Sequence, residues 1–197
     1  MFRIFVKWCV KIFTLIVFRV KTYGKENIEE LEKILESIDI QLKREDGNIK
    51  VFLNGEDVTE AIRTPEINGC VAKFAAVKCV RDKMTPLQQK MGELGKIIME
   101  GRDIGTAVFP NADVKIYLDA SFEVRAMRRY KQNLEKGIEQ SYEEVLESIK
   151  QRHILETTRE INPLRKADDA ILVDTTELNI EQVKNRVIEI IKEKMNV

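Results

Sequence analysis

The sequence predicts an α/β layered fold built on a parallel sheet. Two observations carry that expectation. Three apolar runs, Ile97 to Met99, Val114 to Leu118 and Ala170 to Val173, are too short for helices and read as strands. Helical patterns over 121–136, 141–160 and 179–194 lie between and after them, and strands that alternate with helices pack as a covered parallel sheet. The chain's 197 residues suit one domain with a small insert, and a 44% hydrophobic, 34% charged composition argues against disorder and against a polytopic membrane protein.

The elements follow in order. Asn27-x-x-Glu30 reads as a capping box, after which Ile28, Leu31, Leu35 and Ile38 fall on one helix face. Over 39–58, alternating residues flank Asp46-Gly47, the pattern of a β-hairpin, and Asn54-Gly55 marks a second turn. Residues 66–95 read as mostly helical with a break near Pro86. Ile97 to Met99 reads as a buried strand ending at Gly101. Ser141-x-x-Glu144 and Asn179-x-x-Gln182 are capping boxes for two of the later helices.

Residues 1–25 differ in kind. They hold six basic side chains and no acid, which leaves 26–197 with a net charge of −6. Three readings are open for this divergent segment: a buried strand from Ile12 to Phe18, an export or anchoring signal, or translation from a displaced frame or start. Its uncharged run is too short for a spanning helix, which needs ~20 apolar residues, and no small-residue cleavage site follows. Basic and acidic residues balance at 33 each, which disfavours a nucleic-acid-coating role. Three scattered cysteines and a single His point to reduced thiols in a cytoplasmic protein, with no metal cluster.

Three constellations offer chemistry. Glu100-Gly101-Arg102-Asp103-Ile104-Gly105-Thr106 follows a strand, where α/β sheets bind ligands; a surface turn with a local ion pair is the other reading. Arg125, Arg128 and Arg129 share one helix face with no acid three or four positions away, so they repel one another unless a polyanion such as phosphate joins them. A solvated charged face fits the same spacing. Arg152, Glu156 and Arg159 form a ladder that can satisfy itself as surface salt bridges. His153 carries no assigned chemistry.

Taken together, residues 51–64 (VFLNGEDVTEAIRT), 99–110 (MEGRDIGTAVFP), 112–121 (ADVKIYLDAS), 125–129 (RAMRR) and 163–176 (PLRKADDAILVDTT) resemble bacterial cytidylate kinase, over about 26 to 197. The resemblance implies a P-loop NTPase-like parallel sheet with flanking helices and a small α+β monophosphate-binding insert over 39–90, with a lid region over 120–160. It implies phosphoryl transfer from ATP to CMP or dCMP with Mg²⁺, in a cytoplasmic monomer without nucleic-acid or stable membrane partners. By the same resemblance Arg81 and Asp103 read the base and Arg102 sits beside the nucleotide phosphate. Arg125, Arg128 and Arg129 neutralise the moving phosphoryl group, and Arg152, Glu156 and Arg159 grip phosphate and ribose.

The chain also departs from the family pattern. Glu156 replaces an Asp, His153 stands where an Asp is common, Ala72 stands for a Ser, and Gln89 follows Gln88 where Gln-Arg is usual. No G-x-x-x-x-G-K-[ST] occurs in the 197 residues, and Gly92-Glu93-Leu94-Gly95-Lys96 has the wrong spacing. The expectation is therefore a kinase whose central first strand is missing or replaced by 12–18, and whose transfer is impaired. A relict that binds pyrimidine nucleotides or serves as an interaction module is the alternative.

Overall fold

The computed structural model describes residues 3–5, 28–45, 47–63, 65–93, 95 and 97–196. The chain divides into two compact units, Met1–Ile104 and Gly105–Val197.

In the first unit, β1 (Arg3–Phe5) pairs in parallel with β5 (Ile97–Met99), Arg3 opposite Ile97. The strand at 97–99 stands where the apolar run put it. It is not a buried one, since Ile98 is 37% exposed and its neighbours are half-buried. Three residues at Arg3–Phe5 are too few to show a period, so this pairing had no sequence signal. The strand expected over 12–18 lies outside the described residues, as does Asn27 of the first capping box.

Helix α1 (Ile28–Glu36) buries Leu31 and Leu35, and Ile38 follows them into the core. The expected hairpin forms between β2 (Ile40–Glu45) and β3 (Asn48–Leu53), in register from Ile40↔Leu53 to Glu45↔Asn48. Asn54 (φ 49) and Gly55 (φ 86) then make a two-residue turn into β4 (Glu56–Asp57). Such turns match the strand twist only with both central residues left-handed, which Asn and Gly tolerate best. The Asn54 Oδ1 accepts from the Asp39 N–H at 2.7 Å and holds the turn's far side.

Beyond a 3₁₀ turn (Ala61–Arg63) come α2 (Pro65–Phe74) and α3 (Lys78–Gly92). The helical stretch is interrupted at 75–77, not near Pro86, which lies inside α3. The proline has no N–H to donate to the Asp82 carbonyl, and both residues are exposed, where a freed carbonyl costs least. The bend at extended Val77 lets Val71 of α2 and the following Ala75 join the same core as Val80 and Met84 of α3. A straight helix would carry one of those pairs away from it. Fully covered side chains such as Ile62 and Met84 each contribute roughly 1.5–3 kcal/mol of transfer free energy.

The second unit opens with a π-helical turn at Ile104–Val108. Strands β6 (Ile116–Asp119) and β7 (Ile171–Asp174) pair in parallel, Ile116 opposite Ile171. Both begin later than the apolar runs and end on an Asp. The ladder continues because the Thr175 N–H still donates to the Asp119 carbonyl at 2.8 Å; backbone pairing ignores side-chain polarity.

Helix α4 (Phe122–Glu135) starts at Ser121, whose hydroxyl accepts from the Val124 N–H at 3.2 Å. Helices α5 (Tyr142–Thr158) and α6 (Ile180–Met195) carry both predicted capping boxes complete, at Ser141/Glu144 and Asn179/Gln182. Helices α4 and α5 bury Ala126 and Val145 respectively and meet through an edge-to-face pair of Tyr130 and Tyr142. Among the described residues, no helix is long and apolar enough to cross a membrane.

Candidate functional site

In the first unit, Arg81 and Asp103 form an ion pair, with side chains 3% and 9% exposed. Helix α3 delivers Arg81 on the stripe that also buries Met84 and Gln88. Asp103 arrives just past β5, where the chain leaves the strand. Arg102, its neighbour, is exposed. The turn at 100–106 thus pairs its Asp with an arginine 22 residues earlier, so the local Arg-Asp reading gives way to a long-range buried pair. A buried pair left with one member costs far more than an exposed one, so this geometry holds the turn to α3. Gln88 is 1% exposed, and neither atom of its amide has a hydrogen-bond partner among the described residues.

In the second unit, the three arginines of α4 separate into different environments. The Arg128 guanidinium donates to the Thr175 hydroxyl at 3.0 Å, the Thr175 carbonyl at 2.6 Å and the Leu178 carbonyl at 3.0 Å. Those bonds tie α4 to the turn after β7, and the shared-face argument did not foresee them. Arg125 lies over the Phe122 ring at 4.5 Å, and His153 meets the same ring edge-on at 5.1 Å. The Arg125 Nε is buried and has no hydrogen-bond partner among the described residues.

Arg129 has no ion-pair partner among them. Arg129 is exposed; partial desolvation, and then the charge of nearby Arg152, hold its guanidinium below the usual arginine value. A guanidinium that feels a second positive charge nearby is a candidate for binding an anion, and guanidinium geometry favours phosphate. On α5, Arg152 donates through Nε to Glu156 at 2.6 Å, and Glu156 is buried. Arg159 ends the helix and donates to the Asn162 carbonyl at 2.7 Å. The predicted ladder thus engages Arg159 with the following loop as well.

A further cation, Lys115, escaped sequence reasoning. Its ammonium donates to both Asp169 carboxylate oxygens at 2.9 and 2.7 Å and to the Pro110 carbonyl. Its methylenes lie against Gly105, where a Cβ would stand 3.4 Å from Cδ. Its partner Asp169 is 54 positions away, so no local pattern announces it. Burial pushes the Cys79 thiol up, with Glu32 adding to the shift, which favours its protonated form. Among the described residues, no three His, Cys, Asp or Glu side chains could hold a metal ion together.

A sequence model of the family described as "Cytidylate kinase" matches residues 8–193, a span that starts upstream of the motif blocks. The chain is 46% identical over 185 residues to a protein named "Cytidylate kinase" from Bacillus subtilis, covering 90% of this chain and 83% of that one. It is 48% identical over 182 residues to the protein of the same name from Carboxydothermus hydrogenoformans, covering 92% and 82%. A Bacillus cereus protein, again named "Cytidylate kinase", is 44% identical over 166 residues, covering 84% and 74%.

Proposed function

The chain belongs to the cytidylate kinase family, and from that premise we propose that it transfers the terminal phosphoryl group of ATP to CMP or dCMP. An oxygen of the acceptor's phosphate bonds to the γ-phosphorus, the bond from that phosphorus to the oxygen it shares with the β-phosphate breaks, and CDP or dCDP and ADP leave. The observation that carries the reading is the 46–48% identity to proteins named cytidylate kinase, with an exposed Arg129 that has no ion-pair partner among the described residues. Catalysis of this kind is positioning plus charge stabilisation, and the proposed division of labour follows. Arg129 and Arg125 neutralise the charge on the moving group. In the second unit Arg152 holds phosphate and Glu156 with Arg159 the sugar side; in the first unit Arg102 meets phosphate and Arg81 with Asp103 the base.

The family's sheet is of the P-loop NTPase type, and the parallel pairings of β1 with β5 and of β6 with β7 are consistent with it. Mg²⁺ binds through one or two carboxylates plus substrate phosphates. Without a three-ligand cluster among the described residues, the ion fits as a companion of the ATP phosphates, and no step is derived through it. On this reading the enzyme is a cytoplasmic monomer.

A coupled assay of ADP release with CMP, dCMP and UMP tests the proposal. CMP-dependent turnover is expected, and none above background overturns it. A chain that binds pyrimidine monophosphates without transferring phosphate is the other outcome to be separated. CMP binding by calorimetry with no turnover would select it.

A further inference from the structure

His153, the chain's single histidine, is half-buried on α5. Its imidazole makes no hydrogen bond and no ion pair among the described residues. What it meets is the Phe122 ring of α4, edge-to-face, with 5.1 Å between centroids. The same ring carries the Arg125 guanidinium at 4.5 Å. Two groups held to one ring lie within about a Debye length of each other, ~10 Å at 0.1 M salt, so each feels the other's charge.

The surroundings of the imidazole are rich in cations. From α4 come Arg125, whose buried Nε still needs an acceptor, and Arg129, which feels the charge of Arg152. On α5, Arg152 directly precedes the imidazole, and Lys150 lies three positions before it. Glu156, three positions after, is the one carboxylate at helical contact spacing, and it is already bonded to the Arg152 Nε. Glu123, beside Phe122 on α4, is exposed to screening water. Histidine is the side chain whose charge ordinarily changes between pH 5 and 8. A proton added here joins a group of cations, and a bound anion offsets that repulsion. Proton and anion must then favour each other's binding, because linkage is reciprocal.

Resting on the proposed function, we infer that His153 couples the binding of a nucleotide's phosphate groups beside Arg125 to the uptake of a proton. On the acid side the imidazolium adds its charge to those of Arg125 and Arg129. On the alkaline side it is a neutral ring packed on Phe122. Phosphate affinity in acid therefore exceeds what the arginines alone provide, and the helix pair α4–α5 carries a proton-dependent control of its own anion site.

The test uses the full chain, with its single imidazole as the probe. The His153 Cε1–H resonance is followed at pH 7 with and without saturating CMP or ADP. Calorimetry of both nucleotides in two buffers of different ionisation enthalpy counts the protons taken up. H153Q and H153F serve as references that subtract protons exchanged by the nucleotides' own phosphates, and H153F also keeps an aromatic ring on Phe122 in case glutamine disturbs folding. With at least one nucleotide the resonance should move toward its acid limit, and the parent should take up more protons than either variant. At pH 6 the variants should bind that nucleotide about fivefold more weakly than the parent, the order expected for charges ~10 Å apart near a protein surface, and the gap should narrow toward pH 8.5. A resonance that stays in place, or moves toward its alkaline limit, with both nucleotides overturns the inference. So does a gap of equal size at pH 6 and pH 8.5, which marks lost packing alone. Nucleotide binding without proton uptake sinks the inference and leaves the proposed function standing, whereas a parent chain that binds neither nucleotide sinks both.

Discussion

Replacing Asp103 by alanine strips one partner from a pair whose side chains are 3% and 9% exposed. Arg81 is 3% exposed, so solvent does not take the place of the lost carboxylate. The cost is that of a buried charge deprived of its counter-charge, about 3–5 kcal/mol. For a chain of this length each kcal/mol lowers the melting temperature by roughly 2–4 °C, so D103A should melt about 6–20 °C below the parent. The double variant R81M/D103L replaces both charges by apolar side chains of similar reach and should return to within about 1–2 kcal/mol of the parent, because desolvation of the pair opposes its own attraction. Urea denaturation of the parent, D103A, R81M and the double variant closes the cycle. A D103A cost below about 1 kcal/mol would refute the reasoning, as would single costs that simply add, since neighbours in one pair should couple.

Arg128 and Arg129 are adjacent in sequence but should respond oppositely. R128M loses three hydrogen bonds to Thr175 and Leu178 and should cost about 2–3 kcal/mol in denaturant titration. R129M should leave stability within about 0.5 kcal/mol and lower kcat by about 10²–10³, the loss seen when one preorganised charge-stabilising group is removed. Equal effects in both assays would refute that split. Acid should destabilise the chain through Asp57, Asp169 and Asp174. Hydrogen bonds from the Thr59 hydroxyl, the Lys115 ammonium and the Thr176 hydroxyl respectively hold these carboxyls below their ordinary 3.8. Their folded values lie below the unfolded ones, so the stability they add is fully present above about pH 4 and fades as pH falls through the lowered values. Melting temperature followed from pH 6 to pH 2 should therefore hold and then drop in acid, and D169N should shrink the drop.

Much of the architecture was legible because it rests on local chemistry. Asn54-Gly55 announced its turn because few other residue pairs take two left-handed conformations in succession. Ser141/Glu144 and Asn179/Gln182 announced their helices because a capping box closes within four residues. Pro86 misled because the cost of a proline depends on whether the freed carbonyl meets water, and that is a property of the fold. The arginine triplet misled in part for a related reason. Spacing placed three guanidiniums on one helix face, but only the arrival of the Thr175 turn 47 residues later engaged Arg128.

By itself, then, the sequence determined the helices, the hairpin and its turns, the motif blocks that carry the family likeness, and the supply of arginines for an anion. The tertiary structure alone decided which charges meet: Arg81 with Asp103 across 22 residues, Lys115 with Asp169 across 54, and Arg128 with a distant turn. It also decided that the Gln88 amide is buried with no bonding partner among the described residues. The physical reason is reach. Capping, turn geometry and helical periodicity act over a few residues, whereas burial and charge pairing depend on which distant segments the packed core brings together.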